Sequence, residues 1–256
     1  MNPTGIRESW QAAAQSGVGV AIQQAAARTG VDFSYLLGQA RIESGFDPNA
    51  RARTSSATGL FQFIEQTWLA TVQQHGDKHG LGWAAGAIKQ GANGRYHVAD
   101  PAMRKAILDM RKDPQAASAM AAEFAADNQN YLENSLGRPM ESVDLYLAHF
   151  LGAGGAQKFL SAHDANPNAP AASILPAAAR ANRSIFYGKN GAARSFAEIR
   201  ERFAAKLGGS SMPLPSPAAR DYPQVQMALQ ETAPKVAGPS PQYARLAYLM
   251  LAQLGG

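Results

Sequence analysis

Glu43 is the residue whose type and position point most directly to chemistry. It lies in the run Ala40-Arg41-Ile42-Glu43-Ser44-Gly45-Phe46. At helical spacing its carboxyl falls on the apolar stripe of Leu36, Leu37, Ala40 and Ser44 rather than on a solvent face. Asp32 is the expected N-cap of this helix and Gly45 its stop. Burial and the negative end of the helix dipole both disfavour an ionised carboxyl there. An acid kept protonated near neutrality is the proton donor that a glycosidic leaving group requires. The bland alternative is a glutamate paired with Arg41 or Arg51. Downstream, a polar loop over Asp47 to Thr58 leads into Gly59-Leu60-Phe61-Gln62-Phe63. Asp47 precedes Pro48 and is either a second carboxylate or a side chain capping its own turn. Gly59 is expected to let the backbone approach the Glu43 helix or a sugar. Gln62 offers an amide to the acid or to an N-acetyl group, or is simply a surface glutamine.

The pattern Glu-Ser-x-Phe-Asp-Pro, polar loop, Gly-Leu-Phe-Gln resembles the soluble lytic transglycosylases of bacterial cell-wall metabolism. Their signature is a catalytic Glu-Ser pair followed by Gly-Leu-Met-Gln. A third family element, an Ala-Tyr-Asn-x-Gly-like run, is similar to Ala148-His149-Phe150-Leu151-Gly152. The resemblance implies that Glu43 is catalytic and that Ser44, Phe61, Gln62, Ala148 and His149 contact substrate. Phe61 stands where the family has Met, which alters the shape of a subsite while keeping it apolar. His149 stands where the family has Tyr; an imidazole still hydrogen-bonds but titrates near neutrality. Tyr187 is a stand-in for the missing phenol.

From the same resemblance follow an all-α, lysozyme-like helical domain with a substrate cleft over about residues 20–160, and a lyase reaction. The reaction cleaves the β-1,4 bond between N-acetylmuramic acid and N-acetylglucosamine of peptidoglycan without water, leaving 1,6-anhydro ends, with no metal and no cofactor. Two alternatives stay open. A hydrolase of lysozyme type would use the same acid and a water held by Asp47 or Glu65. A non-catalytic peptidoglycan-binding component of a phage tail or secretion apparatus would carry the same motifs without turnover.

Composition narrows the classes. The 256 residues allow one sizeable domain with extensions. The absence of cysteine excludes disulfides and thiolate metal sites. A formal charge of +5 suits nucleic acid, anionic lipid or an acidic polymer such as peptidoglycan, and does not by itself choose among them. No Lys/Arg cluster with interleaved aromatics favours nucleic acid. No run of ~20 apolar residues suggests a membrane span. Met1 to Arg28 does not read as a secretory signal, so a periplasmic or envelope location implies a removed leader or delivery by a phage or secretion system.

The elements that must position Glu43 are helical throughout, and no strand is expected. Domain organisation reads as a domain over 1–207, a Pro-rich linker over 208–241 and a C-terminal amphipathic helix over 242–256. Seven of the fifteen prolines fall between Pro213 and Pro241. The final helix, with Tyr243, Leu246 and Met250 on one face, would dock on the domain or on a protein partner. Trp10 to Arg28 reads as a helix interrupted by Gly17 and Gly19. His75 to His97 carries six glycines and is expected as a flexible insertion or lid. Within it Trp83 and Tyr96 either stack on sugars or pin the loop to the core. His75 and His79 lack a carboxylate at a supporting spacing, so no metal site is expected. Asp100-Pro101 and Asp113-Pro114 open helices, the first with Met103 and Ile107 buried and the second with Met120, Phe124, Tyr131 and Leu132 inward. Met140 to Leu151 is the next helix, and Gly154-Gly155 are expected to break the chain after it. Ser195-x-x-Glu198 is a capping box opening the last helix, Phe196 to Leu207.

Overall fold

The computed structural model describes residues 16–53 and 55–208. The linker prolines, the C-terminal helix and the first part of the Trp10–Arg28 helix lie outside those residues. The architecture is all-α and consistent with a lysozyme-like helical fold. The described residues divide into two compact units, one built on residues up to Gln129 with those from Ala205 to Gly208, the other on Asn130–Ala204.

In the first unit, α1 (Gly17–Thr29) starts at a Ser16 cap and ends at Gly30, whose backbone is left-handed. Gly17 and Gly19 lie inside this helix rather than interrupting it. Its face of Ala21, Ile22, Ala25 and Ala26 is buried, and small residues let α2 (Phe33–Ser44) pack closely against it. Asp32 caps α2 by accepting from the Tyr35 N–H at 2.8 Å, and Gly45 ends it with a φ of 61°. α3 (Glu65–His75) brings Trp68 fully inside, where its indole N–H donates to the Ile107 carbonyl at 2.7 Å. α5 (Pro101–Asp109) and the 3-10 turn Met110–Lys112 follow, opened by the expected Asp100 cap. Met103 is exposed, contrary to expectation, because only Ile107 of α5 is fully buried.

The glycine-rich stretch carries regular structure. It forms a 3-10 turn (Gly76–His79), α4 (Gly82–Ala87) and a two-stranded antiparallel hairpin, β1 (Lys89–Gln90) with β2 (Tyr96–His97). The hairpin also corrects the expectation of no strand. Its signal is too short for alternation to show in the sequence, and its edge is completed by a side chain. Gln66 donates to the Tyr96 carbonyl and accepts from the Tyr96 N–H, both at 3.0 Å, in the manner of a strand neighbour. Trp83 is 49% exposed and so does not pin the stretch to the core.

α6 (Pro114–Leu136) begins in the first unit. In the second unit lie α7 (Ser142–Leu151), α8 (Ala153–Ala165), three short helices α9 (Ala171–Ile174), α10 (Pro176–Ala181) and α11 (Arg183–Phe186), and most of α12 (Phe196–Leu207). Gly154 and Gly155 sit inside α8. The break falls one step earlier, at Gly152, with φ 74° and ψ 157°. Tyr131 of α6 is exposed rather than inward, whereas Met120 and Leu132 are buried as expected. α12 opens on its capping box, with Ser195 N–H donating to Glu198 at 2.7 Å and Glu198 N–H to Ser195 Oγ at 3.2 Å. The apolar faces of α7, α8 and α12 meet through Tyr146 and Phe150 on Phe203, and Phe159 on Phe196. Asp144 is fully buried between Arg138 and Arg200.

Candidate active site

Residues 35 to 40 of α2 are all buried, so the middle of the helix is embedded and its last turn emerges. Glu43 sits in that turn and is half-buried. The helix end beyond it is tightly closed. Gly45 N–H donates to the Arg41 carbonyl and Phe46 N–H to the Ala40 carbonyl, which satisfies two of the orphan carbonyls of a helix terminus.

Ser44 Oγ lies 3.1 Å from the Ala40 carbonyl and 2.8 Å from the Leu60 carbonyl. A serine hydroxyl has one hydrogen, and the shorter contact joins α2 to the Gly59–Gln62 segment. Ser44 therefore spends its donor on holding two pieces of backbone together beside Glu43. Gln62 is buried, and its amide NH2 donates to the Gly59 carbonyl at 2.8 Å and the Ala50 carbonyl at 3.1 Å. Both hydrogens close the polar loop. Phe61 is 1% exposed, a core residue beneath this segment.

The loop is closed a second time by Arg111. Its Nη1 donates to the carbonyls of Ser56 (2.7 Å) and Phe63 (3.0 Å), and its Nε to that of Leu108 (2.9 Å). Burial lowers its pKa from the ordinary arginine value, with the Glu65 and Asp109 charges opposing. Gly59, at φ 84°, comes so close to the Arg111 carbonyl that a Cβ would lie 1.8 Å from it. The close approach that requires a glycine at 59 is to Arg111. Among the described residues, Phe46 (φ 70°) and Gln62 (φ 48°) are the non-glycine residues with left-handed backbone. Both flank the Glu43–Gln62 arrangement, and strained backbone of this sort gathers at functional sites.

Tyr35 was not singled out by its sequence position. It is 2% exposed; burial raises its phenol far above the ordinary tyrosine value, and the negative charge of Glu43 adds to the rise. The two therefore share one electrostatic environment, and Tyr35 remains a neutral hydroxyl at any working pH. The i, i+8 spacing, two turns apart on one helix, was the available signal. Arg41 donates to the Lys206 carbonyl, and burial lowers its pKa.

The other carboxylates near the loop have structural partners. Asp47 accepts from the Asn49 N–H at 2.8 Å, capping its own turn. Glu65 is paired with Arg104 at 2.6 Å. In the second unit, Ala148 is fully buried and His149 half-buried in the last turn of α7, its ring tilted against Tyr146. Tyr187 is half-buried, with the Arg183 guanidinium 4.9 Å from its ring centre. His75 and His79 both engage Glu123, at 3.2 and 2.8 Å. Among the described residues no His, Asp and Glu group is arranged to hold a metal ion.

Residues 20–82 match the family model of the transglycosylase SLT domain, consistent with the soluble lytic transglycosylases. The matched segment runs from α1 to the start of α4 and contains Glu43, Ser44 and the whole Gly59–Gln62 clamp. It indicates a transglycosylase-type enzyme acting on peptidoglycan.

Proposed function

We propose that this chain is a peptidoglycan lytic transglycosylase in which Glu43 acts first as general acid and then as general base. The carrying observation is the placement of Glu43, half-buried in the last turn of a helix whose middle is buried, beside Ser44, which ties that turn to the Gly59–Gln62 segment. In the proposed reaction Glu43 gives its carboxyl proton to the oxygen bridging N-acetylmuramic acid and N-acetylglucosamine, and the C1–O bond breaks. The C6 hydroxyl oxygen of the muramyl residue bonds to C1, and its proton passes to the Glu43 carboxylate. The products are a free 4-hydroxyl and a 1,6-anhydro end, with Glu43 restored and no water consumed. The scheme needs one carboxylate because the substrate carries its own nucleophile, a departure from the two-carboxylate glycosidases. It requires no metal and no cofactor.

Asp47 and Glu65 each have a structural partner, and the proposed reaction asks neither of them to hold a water. In this reading His149 takes the place of the family tyrosine, and the enzyme works in the cell envelope. Glu43→Gln keeps the shape and removes the transferable proton, so glycan cleavage should fall by about 100-fold or more while the circular dichroism spectrum stays native. Zymography on cell walls with both proteins is the test. Substantial cleavage by the variant defeats the assignment of Glu43. Mass analysis of the native digest decides the chemistry: products one water heavier than anhydro ends mean hydrolysis.

A further inference from the structure

The hairpin β1–β2 takes no part in the proposed glycan chemistry. Its register pairs Lys89 with His97 and Gln90 with Tyr96. One more step follows at the tip, where the Gly91 N–H donates to the Arg95 carbonyl at 2.8 Å. Gln90 Nε2 donates to the Gly94 carbonyl at 3.1 Å, and Asn93 Oδ1 accepts from the Arg95 N–H at 3.0 Å. The tip is thus held by bonds of its own, while Gln66 holds the β2 edge.

Side chains alternate across a strand, so Lys89, Gly91, Arg95 and His97 share one face and Gln90 and Tyr96 the other. The glycine bears this out, since a Cβ at 91 would lie 3.8 Å from His97 Nδ1. Lys89, Arg95 and His97 are all exposed. Among the described residues, none of these three side chains has a hydrogen bond or an ion pair. No Asp or Glu occurs over residues 88–99. Further along, Arg104 and Lys105 are paired with Glu65 and Asp109. Opposite side chains in a ladder stand ~5 Å apart, and the next position on the same face lies ~7 Å along. Three donors therefore gather round a strip left bare at Gly91. Such a face attracts anions, and an imidazole N–H donates whether or not the ring is charged.

The surroundings say which anion. Tyr96, the aromatic ring of the hairpin, is on the opposite face, so nucleic acid bases would have no ring to stack on. Three cations also fall short of the roughly four to eight that make a membrane-surface cluster. Gln66, which fixes the hairpin, follows Gln62 by four residues, and so short a stretch of chain spans at most ~15 Å. A glycan strand engaged at the Glu43–Gln62 arrangement therefore has its neighbouring sugars within reach of the hairpin. We propose that the Lys89–Arg95–His97 face binds the carboxylates of the peptide stems that hang from the muramyl residues. Arg95 suits a carboxylate through its paired N–H groups, with Lys89 and His97 beside it. This inference rests on the reading of peptidoglycan as the substrate.

The test is co-sedimentation of the full chain, carrying Glu43→Gln so that the walls stay whole, with peptidoglycan sacculi freed of phosphate-bearing polymers. The supernatant is checked for released glycan, so that digestion is not read as weak binding. Adding Lys89→Gln, Arg95→Gln and His97→Gln together should weaken binding by about tenfold. Converting the stem carboxylates of the sacculi to amides should weaken the parent as much and leave the triple variant unchanged. Lys158→Gln with Arg180→Gln removes the same formal charge from exposed positions of the second unit and should leave binding near that of the parent. Circular dichroism checks the fold, and Arg95→Gln alone, expected at about threefold, serves if the triple variant does not fold. Three results overturn the proposal: hairpin variants that bind like the parent, a triple variant that loses as much again on amidated sacculi, or a control pair that loses as much as the hairpin. Anhydro ends are read separately on the native chain, so loss of the hairpin's role and loss of the transglycosylase reading are different outcomes.

Discussion

At position 59 a methyl group would stand 1.8 Å from the Arg111 carbonyl oxygen, on backbone already at φ 84°. Neither the neighbour nor the dihedral can give way cheaply, because both are backbone. Gly59→Ala should therefore destabilise the protein by more than about 2 kcal/mol, read as a lower urea midpoint, with cleavage falling in step as the loop beside Glu43 shifts. Gln62 presents a different kind of dependence. Its two amide hydrogens serve the Ala50 and Gly59 carbonyls in a buried setting. Gln62→Leu keeps the bulk and removes both donors, at a cost of about 1–3 kcal/mol. If Gln62 acted only on substrate, the denaturation midpoint would not move and the Michaelis constant alone would rise.

The Glu43-bearing segment works as an element because both ends of α2 are pinned. Asp32 fixes the start by accepting from Tyr35 N–H, and the paired carbonyls at Ala40 and Arg41 fix the end. Asp32→Ala should cost about 1 kcal/mol and lower the thermal midpoint without altering the product. The opposing loop depends on one cation. Arg111→Met keeps the aliphatic stem but leaves the Ser56 and Phe63 carbonyls without their charged donor. Hydrogen bonds to charged groups contribute about 1.5–3 kcal/mol each, so this variant should lose several kcal/mol in urea titration, far more than a surface arginine would.

Across the whole molecule, two buried carboxylates carry stability, that of Glu123 responding to pH. Burial would raise the Glu123 carboxyl, but the hydrogen bond from His79 and the charges of His75 and Lys78 outweigh it and hold the group below its ordinary value of 4.5. A depressed carboxyl contributes stability that is complete above the unfolded value and is lost as pH falls through the folded one. Stability should thus decline as pH drops below about 4.5, and Glu123→Gln should flatten that slope in denaturation curves. Asp144 accepts from Arg138 at 2.9 Å, from Arg200 at 3.1 and 3.2 Å, and from the Glu141 N–H at 3.1 Å. Asp144→Ala would leave two arginines without that carboxylate in the second unit, at about 3–5 kcal/mol, measurable by calorimetry.

What the sequence determined by itself was the set of features that act over a few residues. Caps at Asp32, Asp100 and Ser195-x-x-Glu198, and the glycine at 45, set helix ends through bonds that reach no further than the next turn, and the placement of Glu43 in a last turn followed from them. The tertiary structure decided what depends on distant chain. Arg111 clamps a loop some fifty positions earlier, the Gly59 approach has its partner there too, and Gln66 completes a hairpin thirty residues on. Met103 and Tyr131 ended exposed because an apolar side chain is buried only where another element covers it, and helical spacing does not say which element that will be.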